Sequence, residues 1–100
     1  MEGSRRRGSP FDESKLQLLR EFLRREFRDC YCVDFVAVDD SAQIFLIDTW
    51  DGVRHMLIVP EATFAEADMG LLCNANLSET LRDARESRVT LTSQGAVVGA

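Results

Sequence analysis

Three cysteines and one histidine are the side chains of this sequence best suited to bind a metal ion. Cys30, Cys32, Cys73 and His55 make up the four soft or borderline ligands that a structural zinc site needs. Paired zinc-binding cysteines usually have two residues between them, whereas Tyr31 alone separates Cys30 from Cys32. We therefore expect buried structural thiols, with neither a metal nor a cofactor.

A carboxylate and the histidine stand where a tight hairpin would bring them together. The segments 44–50 and 53–59 have the β-branched and aromatic residues of strands, and Asp51-Gly52 favours a two-residue turn between them. This register places Asp48 opposite His55. Such a pair could orient the imidazole for acid–base catalysis, with a cysteine as the nucleophile. The ordinary alternative is an ion pair near the hairpin tip, and since the sequence has no nucleophile elbow we expect no enzyme.

The same register makes both faces of the hairpin apolar. One face would carry Leu46 with Leu57, and the other would carry Phe45 with Met56. An antiparallel sheet that packs on one side only does not need two apolar faces. We expect the first helix to cover one face, and the later helices or a second subunit to cover the other.

Local patterns predict an α+β fold in a single domain. Ser9 before Pro10 is typical of a helix start, and apolar residues at spacings of three and four extend this helix to about Arg28. Strands follow, with another helix at about 76–86 and strand residues from Val89. We predict the order α-β-β-β-α-β, with or without a final strand, in which the N-terminal helix packs on a three- to five-stranded, mainly antiparallel sheet. Residues 1–8 form a basic arm and residues 9–100 form the domain.

The charges are unevenly distributed along the chain. Residues 1–28 hold eight basic and five acidic side chains, a net +3, and residues 29–100 hold four basic and twelve acidic ones, a net −8. The arginines make nucleic-acid binding an alternative function, although the acidic remainder repels a polyanion. The opposite charges could also meet across a symmetric dimer. The possible phosphate-binding residues are Arg5, Arg6 and Arg7, with further arginines on the first helix.

An aromatic residue at the hairpin end favours contact with a protein, because aromatics and arginines are enriched in interfaces. We predict a non-catalytic protein–protein interaction or regulatory module that self-associates. We expect it to be cytoplasmic, since it has no apolar run long enough to span a membrane and no secretory signal, and its cysteine count is odd. The residues expected to contact the partner are Trp50, Arg54, Arg20, Arg24 and Arg28.

The element order, the size and the acidic balance resemble those of the small dimeric chaperones of bacterial type III secretion, which have an α-β-β-β-α-β-β-α plan. The resemblance rests on this order. It implies an acidic, dimeric secretion chaperone as a further alternative function.

Overall fold

A computed structural model describes residues 11–39 and 41–99 of the chain. The α+β prediction is confirmed, with the expected order of elements and with the later helical region divided into three short helices. None of the helices in the described residues has the length and apolar character needed to cross a bilayer. The elements are α1 (Glu13–Glu26), β1 (Tyr31–Val36), β2 (Ala42–Asp48), β3 (Arg54–Pro60), α2 (Glu61–Glu66), α3 (Met69–Leu72), α4 (Ala75–Ala84), β4 (Arg88–Thr92) and β5 (Gly95–Gly99).

The five strands form one sheet in the order β1-β2-β3-β4-β5. Three of the four pairings are antiparallel, and β3 pairs with β4 in parallel. A parallel pair cannot be joined by a hairpin, so the chain crosses over from β3 to β4 through the three short helices. The sheet is therefore mixed and mainly antiparallel.

The first helix begins later and ends earlier than its pattern predicts. The carboxylate of Asp12 accepts hydrogen bonds from the backbone N–H groups of Ser14 and Lys15, and this cap starts the helix at Glu13. The predicted start at Ser9 is therefore wrong, and Ser9 itself lies outside the described residues. The predicted apolar stripe is confirmed, because the buried residues of α1 are Leu16, Leu19, Phe22 and Leu23.

The loop between β2 and β3 has three residues instead of the predicted two. The N–H of Thr49 donates to the carbonyl of Val53 at 2.8 Å, and the Thr49 side-chain oxygen accepts from the N–H of Val53 at 2.9 Å. Between them Gly52 has a φ of 95°, which a side chain rarely adopts. A turn followed by a left-handed glycine is the usual form of a three-residue hairpin loop.

The longer loop shifts the register by one residue. Asp48 pairs with Arg54, and His55 lies opposite Ile47. Because successive side chains alternate between the two faces of a strand, Asp48 and His55 lie on opposite faces of the sheet. The predicted cross-strand pair of Asp48 and His55 is wrong for this reason.

One face of the sheet, the inner face, holds the core. The helices bury their apolar residues on this side, together with Phe45, Leu57 and Leu91 from the strands. Lys15 of α1 donates to the backbone carbonyl of Phe64, and the hydroxyl of Thr63 in α2 donates to the carbonyl of Leu91. The expectation that later helices cover the second face is therefore wrong, because they share the inner face with α1.

An ion pair ties α1 to the first two strands. The guanidinium of Arg20 donates to both carboxylate oxygens of Asp34, with the shortest contact at 2.8 Å. The side-chain amide of Gln43, which is only 2% exposed, donates to the same carboxylate at 2.7 Å. Asp34 thus accepts hydrogen bonds from the buried NH2 group of Gln43 and from a cation at once, while Oε1 of Gln43 is buried without a partner among the described residues.

The Asp34 contacts lead to a stability prediction. We expect Asp34→Ala to lower the free energy of unfolding by about 2 kcal/mol, because the buried amide of Gln43 loses its acceptor and Arg20 loses its counter-ion. Urea unfolding followed by circular dichroism measures this change. Asp48→Ala is the matched control, with a much smaller expected loss because its partner Arg54 is exposed. Equal losses in the two variants would contradict the account.

The loop glycine leads to a second stability prediction. We expect Gly52→Ala to cost about 1 kcal/mol, since φ there is positive and the added methyl group has ample room, so that backbone strain is the only penalty. The thermal unfolding midpoint is the measurement. An unchanged midpoint would argue against the three-residue loop.

Candidate functional site

The outer face of the sheet is apolar on β1, β2 and β3, whereas β4 contributes the polar residues Arg88, Thr90 and Thr92 to it, and no described helix packs on this face. In one row across the strands Val33, Leu46 and Met56 are neighbours, and in the next row Phe35 lies beside Ile44, followed by Ile58 on β3. Their side chains are half-buried or exposed. Contiguous exposed apolar patches of this kind are uncommon on monomers and mark interaction sites. We call this surface the open face; it consists of Val33, Phe35, Ile44, Leu46, Met56 and Ile58, together with Val97 of β5, which Thr90 of β4 separates from Ile58.

Charged side chains border the open face without entering its centre. Arg54 donates to both carboxylate oxygens of Asp48, at 2.6 and 2.8 Å. The hydrogen bond and charge of Arg54 hold the pKa of Asp48 below its ordinary value. Arg88 lies next to Met56 on the neighbouring strand. An apolar centre with a polar border is the usual arrangement of a protein interface.

Two of the predicted contact residues lie near the same end of the sheet. Trp50 is in the β2–β3 loop and is 87% exposed, and Arg54 starts β3 a few residues later. Arg20 is held by Asp34 instead, which gives it a structural role. Arg24 and Arg28 line a shallow groove of about 330 Å³ along α1, together with Glu21 and Arg25. The arginines Arg5, Arg6 and Arg7 lie outside the described residues.

A cleft of about 360 Å³ lies at the end of α1, on the inner side of the sheet. Its base is His55, which is 5% exposed and has no hydrogen-bond partner for Nδ1 within the described residues. The guanidinium of Arg82 packs 4.9 Å from the centroid of the Phe27 ring and donates to the carbonyl of Glu26. The cleft is also lined by Arg28, Asp29, Cys30, Thr49, Asp51, Val53 and Arg85.

The electrostatics of the cleft disfavour a cysteine nucleophile. Burial raises the pKa of Cys30, and the carboxylates of Asp29 and Asp51 raise it further. Because the thiolate is the reactive form, a raised pKa makes this thiol a poor nucleophile at neutral pH. No carboxylate in the described residues orients His55, so the arrangement lacks the base-and-orienter geometry of nucleophilic catalysis.

Of the four metal ligands considered from sequence, Cys30 and His55 line the same cleft, whereas Cys32 and Cys73 are not among its lining residues. Cys30 precedes β1, Cys32 lies within it, and Cys73 caps the end of α3. The expectation of buried thiols is wrong, because Cys32 is exposed on an edge strand and the other two are only partly buried. Within residues 11–39 and 41–99, no three histidine, cysteine or acidic side chains form a group that could hold a metal ion.

The sequence reasoning missed the contribution of the first and last strands to the open face. Alternation was visible in β1, where Tyr31, Val33 and Phe35 are separated by Cys32 and Asp34. The contribution of Val97 had no such signal, because its place depends on the parallel pairing of β3 with β4.

No protein-family model, curated protein or solved structure matches this chain. The resemblance to secretion chaperones therefore stays an expectation drawn from the order of the elements. The functional proposal below therefore rests on the surfaces of the chain itself.

The burial of Cys73 leads to a prediction about the rate at which its thiol is alkylated. Burial raises the pKa of Cys73 from 9.0 to about 11, against a smaller opposing effect of Arg25. At pH 8 the two-unit rise lowers the thiolate fraction about 100-fold relative to an unshifted thiol. Because a thiolate of higher pKa is also a stronger nucleophile, we expect iodoacetamide to alkylate Cys73 about tenfold more slowly in the native protein than in urea, as measured by peptide mass spectrometry. Equal rates in the two states would refute the burial argument.

Proposed function

We propose that the protein is a non-catalytic protein-interaction module that self-associates and binds a protein partner through the open face. The observation that carries this proposal is the apolar outer surface of the sheet, which the helices of the described residues leave uncovered. Water contact with these side chains is unfavourable, and a partner that buries them gains about 25 cal/mol for each Å² removed from water.

The distribution of charge supports a protein partner. The chain carries a net charge of −5, yet the two central rows of the open face contain no charged residue on β1, β2 or β3. Burying this centre therefore requires no desolvation of an ion. The net negative charge of the chain repels a polyanion, which favours a protein partner over nucleic acid.

The size of the open face is suited to one partner protein. Five strands spaced by about 4.8 Å, each about five to seven residues long, give an outer face of about 24 by 20 Å, to which β4 contributes the polar residues Arg88, Thr90 and Thr92. The projected area is then about 500 Å², and the accessible area is larger because side chains project from it. A standard interface buries about 800 Å² on each partner. Exposed residues at the ends of the sheet, such as Trp50, can supply the rest.

The border residues indicate the chemistry of the partner. Arg54 is already bound to Asp48, whereas Arg88 has no ion pair within the part of the chain that the structure describes. Arg88 is thus a cation without a paired carboxylate beside Met56 of the open face. The complementary surface is apolar at its centre and has a carboxylate at its margin.

A binding experiment tests the open face. We expect the double variant Ile44→Thr, Ile58→Thr to weaken partner binding at least tenfold, because two buried aliphatic contacts are lost while β-branching preserves the sheet. The partner is first captured from the source cells and purified. Isothermal titration calorimetry then compares the wild type and the variant at equal salt.

Two further variants make the result specific. Val38→Thr removes an exposed apolar side chain from the β1–β2 loop and should leave affinity unchanged. Arg88→Gln should weaken binding less than the double variant and reduce its salt dependence. The proposal fails if the double variant binds as tightly as the wild type, or if the open face captures only further copies of this chain.

A further inference from the structure

The two outer strands of the sheet differ in how their free edges are protected. Among the described residues β1 pairs only with β2, and β5 pairs only with β4. Each outer strand therefore has a row of backbone N–H and C=O groups without a neighbouring strand. Natural proteins protect such edges with charges, prolines, bulges or very short strands, because an open edge is a template for another chain.

The edge at β1 carries a protective charge. Asp34 lies in the middle of this strand, and its side chain points to the inner face, where Arg20 and Gln43 bind it. An inward-pointing charge on an edge strand is one of the devices that prevent strand addition. A second strand at this edge would have to pack beside this fixed ion pair.

The edge at β5 has no charge, proline or bulge. The strand reads Gly-Ala-Val-Val-Gly, and its five residues pair with β4 in unbroken register. Val97 and Val98 are each 52% exposed, on opposite faces of the sheet. A small, apolar and regular edge of this kind can accept another strand without burying a charge.

We propose that a second copy of the chain pairs with β5 in an antiparallel arrangement about Val97; this inference rests on the proposed self-association. The strand is nearly palindromic about that residue. A two-fold axis there places Gly95 opposite Gly99 of the second copy, and Ala96 opposite Val98 of the second copy. A two-fold interface requires such self-complementarity, because each contact of one residue with another is repeated with the two copies exchanged.

The absence of charge in β5 explains why acidic chains can meet there. Two copies with a net charge of −5 repel one another across most of their surfaces, but pairing at β5 brings no two carboxylates into opposition. The two-fold axis is perpendicular to the sheet, so both open faces lie on the same side of a ten-stranded sheet. The dimer thereby presents two joined copies of the partner-binding surface, with the two Val97 side chains at its centre.

The contact is small, which sets the range of affinity. Pairing of two five-residue strands buries less than a standard interface of about 1,600 Å². We expect dissociation in the micromolar range, so the experiment covers about 5 to 500 µM of the full 100-residue chain. Sedimentation velocity gives the mass at each concentration.

Charge pairs at residue 97 test the geometry. Val97→Lys and Val97→Glu each place like charges opposite one another at the two-fold axis, and each should raise the dimer dissociation constant at least tenfold. An equimolar mixture of the two variants should recover the dimer, because lysine then meets glutamate. Native mass spectrometry identifies this heterodimer by its mass. Val38→Lys adds the same charge in an exposed loop and should leave the dimer intact.

A milder variant guards against misfolding of the charged ones. Val97→Cys is close to valine in size, and directly opposed residues in an antiparallel pair have Cα atoms about 4.5–5.5 Å apart, within the range of a disulfide. Oxidised glutathione should therefore cross-link this variant well above the level of the wild type, whose three cysteines serve as the background.

The outcomes separate this inference from the proposed function. A wild type that stays monomeric at every concentration overturns both the self-association and the β5 pairing. A dimer that persists in Val97→Lys, or that the open-face variant Ile44→Thr, Ile58→Thr dissociates, overturns only the β5 pairing. Charged variants that are both monomeric but do not combine when mixed overturn the register about Val97.

Discussion

The hydrogen bonds between Thr49 and Val53 are the constraint on which the rest of the structure depends. They close a three-residue loop and so set the register of β2 against β3. Because side chains alternate along a strand, a shift of one residue would exchange the two faces of β3 relative to β2. In the observed register Leu57 joins Phe45 in the core, and the two strands present matching faces.

This register divides the molecule into one covered face and one uncovered face. The helices pack on the inner face and contribute residues to its core. The ion pair between Arg20 and Asp34 binds α1 to β1. The same alternation that completes the core directs Ile44 and Ile58 outward. The open face is therefore a consequence of how the core is built, and its exposure to water is the basis of the proposal that another protein binds there.

Charged and apolar side chains occupy different parts of the surface of this protein. Apart from Asp34 within β1, the carboxylates of the described residues lie in helices, in loops or at the ends of strands, whereas β5 has no charged residue and the open face has none on β1, β2 or β3 outside the Asp48–Arg54 pair. An acidic protein stays soluble through its charged surface, and its uncharged surfaces are where close contact costs least. Val97 belongs to both uncharged surfaces, so partner binding and self-association are adjacent in the proposed assembly.

The sequence alone determined the local features: the apolar stripe of α1, the α+β order and the approximate positions of the strands. Each depends on residues a few positions apart. Tertiary structure decided the register of β2 against β3. The sequence does not fix it, because Asp51-Gly52 is compatible both with a two-residue turn and with the end of a three-residue loop. Tertiary structure likewise decided the binding of Arg20 to Asp34 and the parallel pairing that brings Val97 to the open face. These features join residues far apart in the chain, and local spacing carries no information about such contacts.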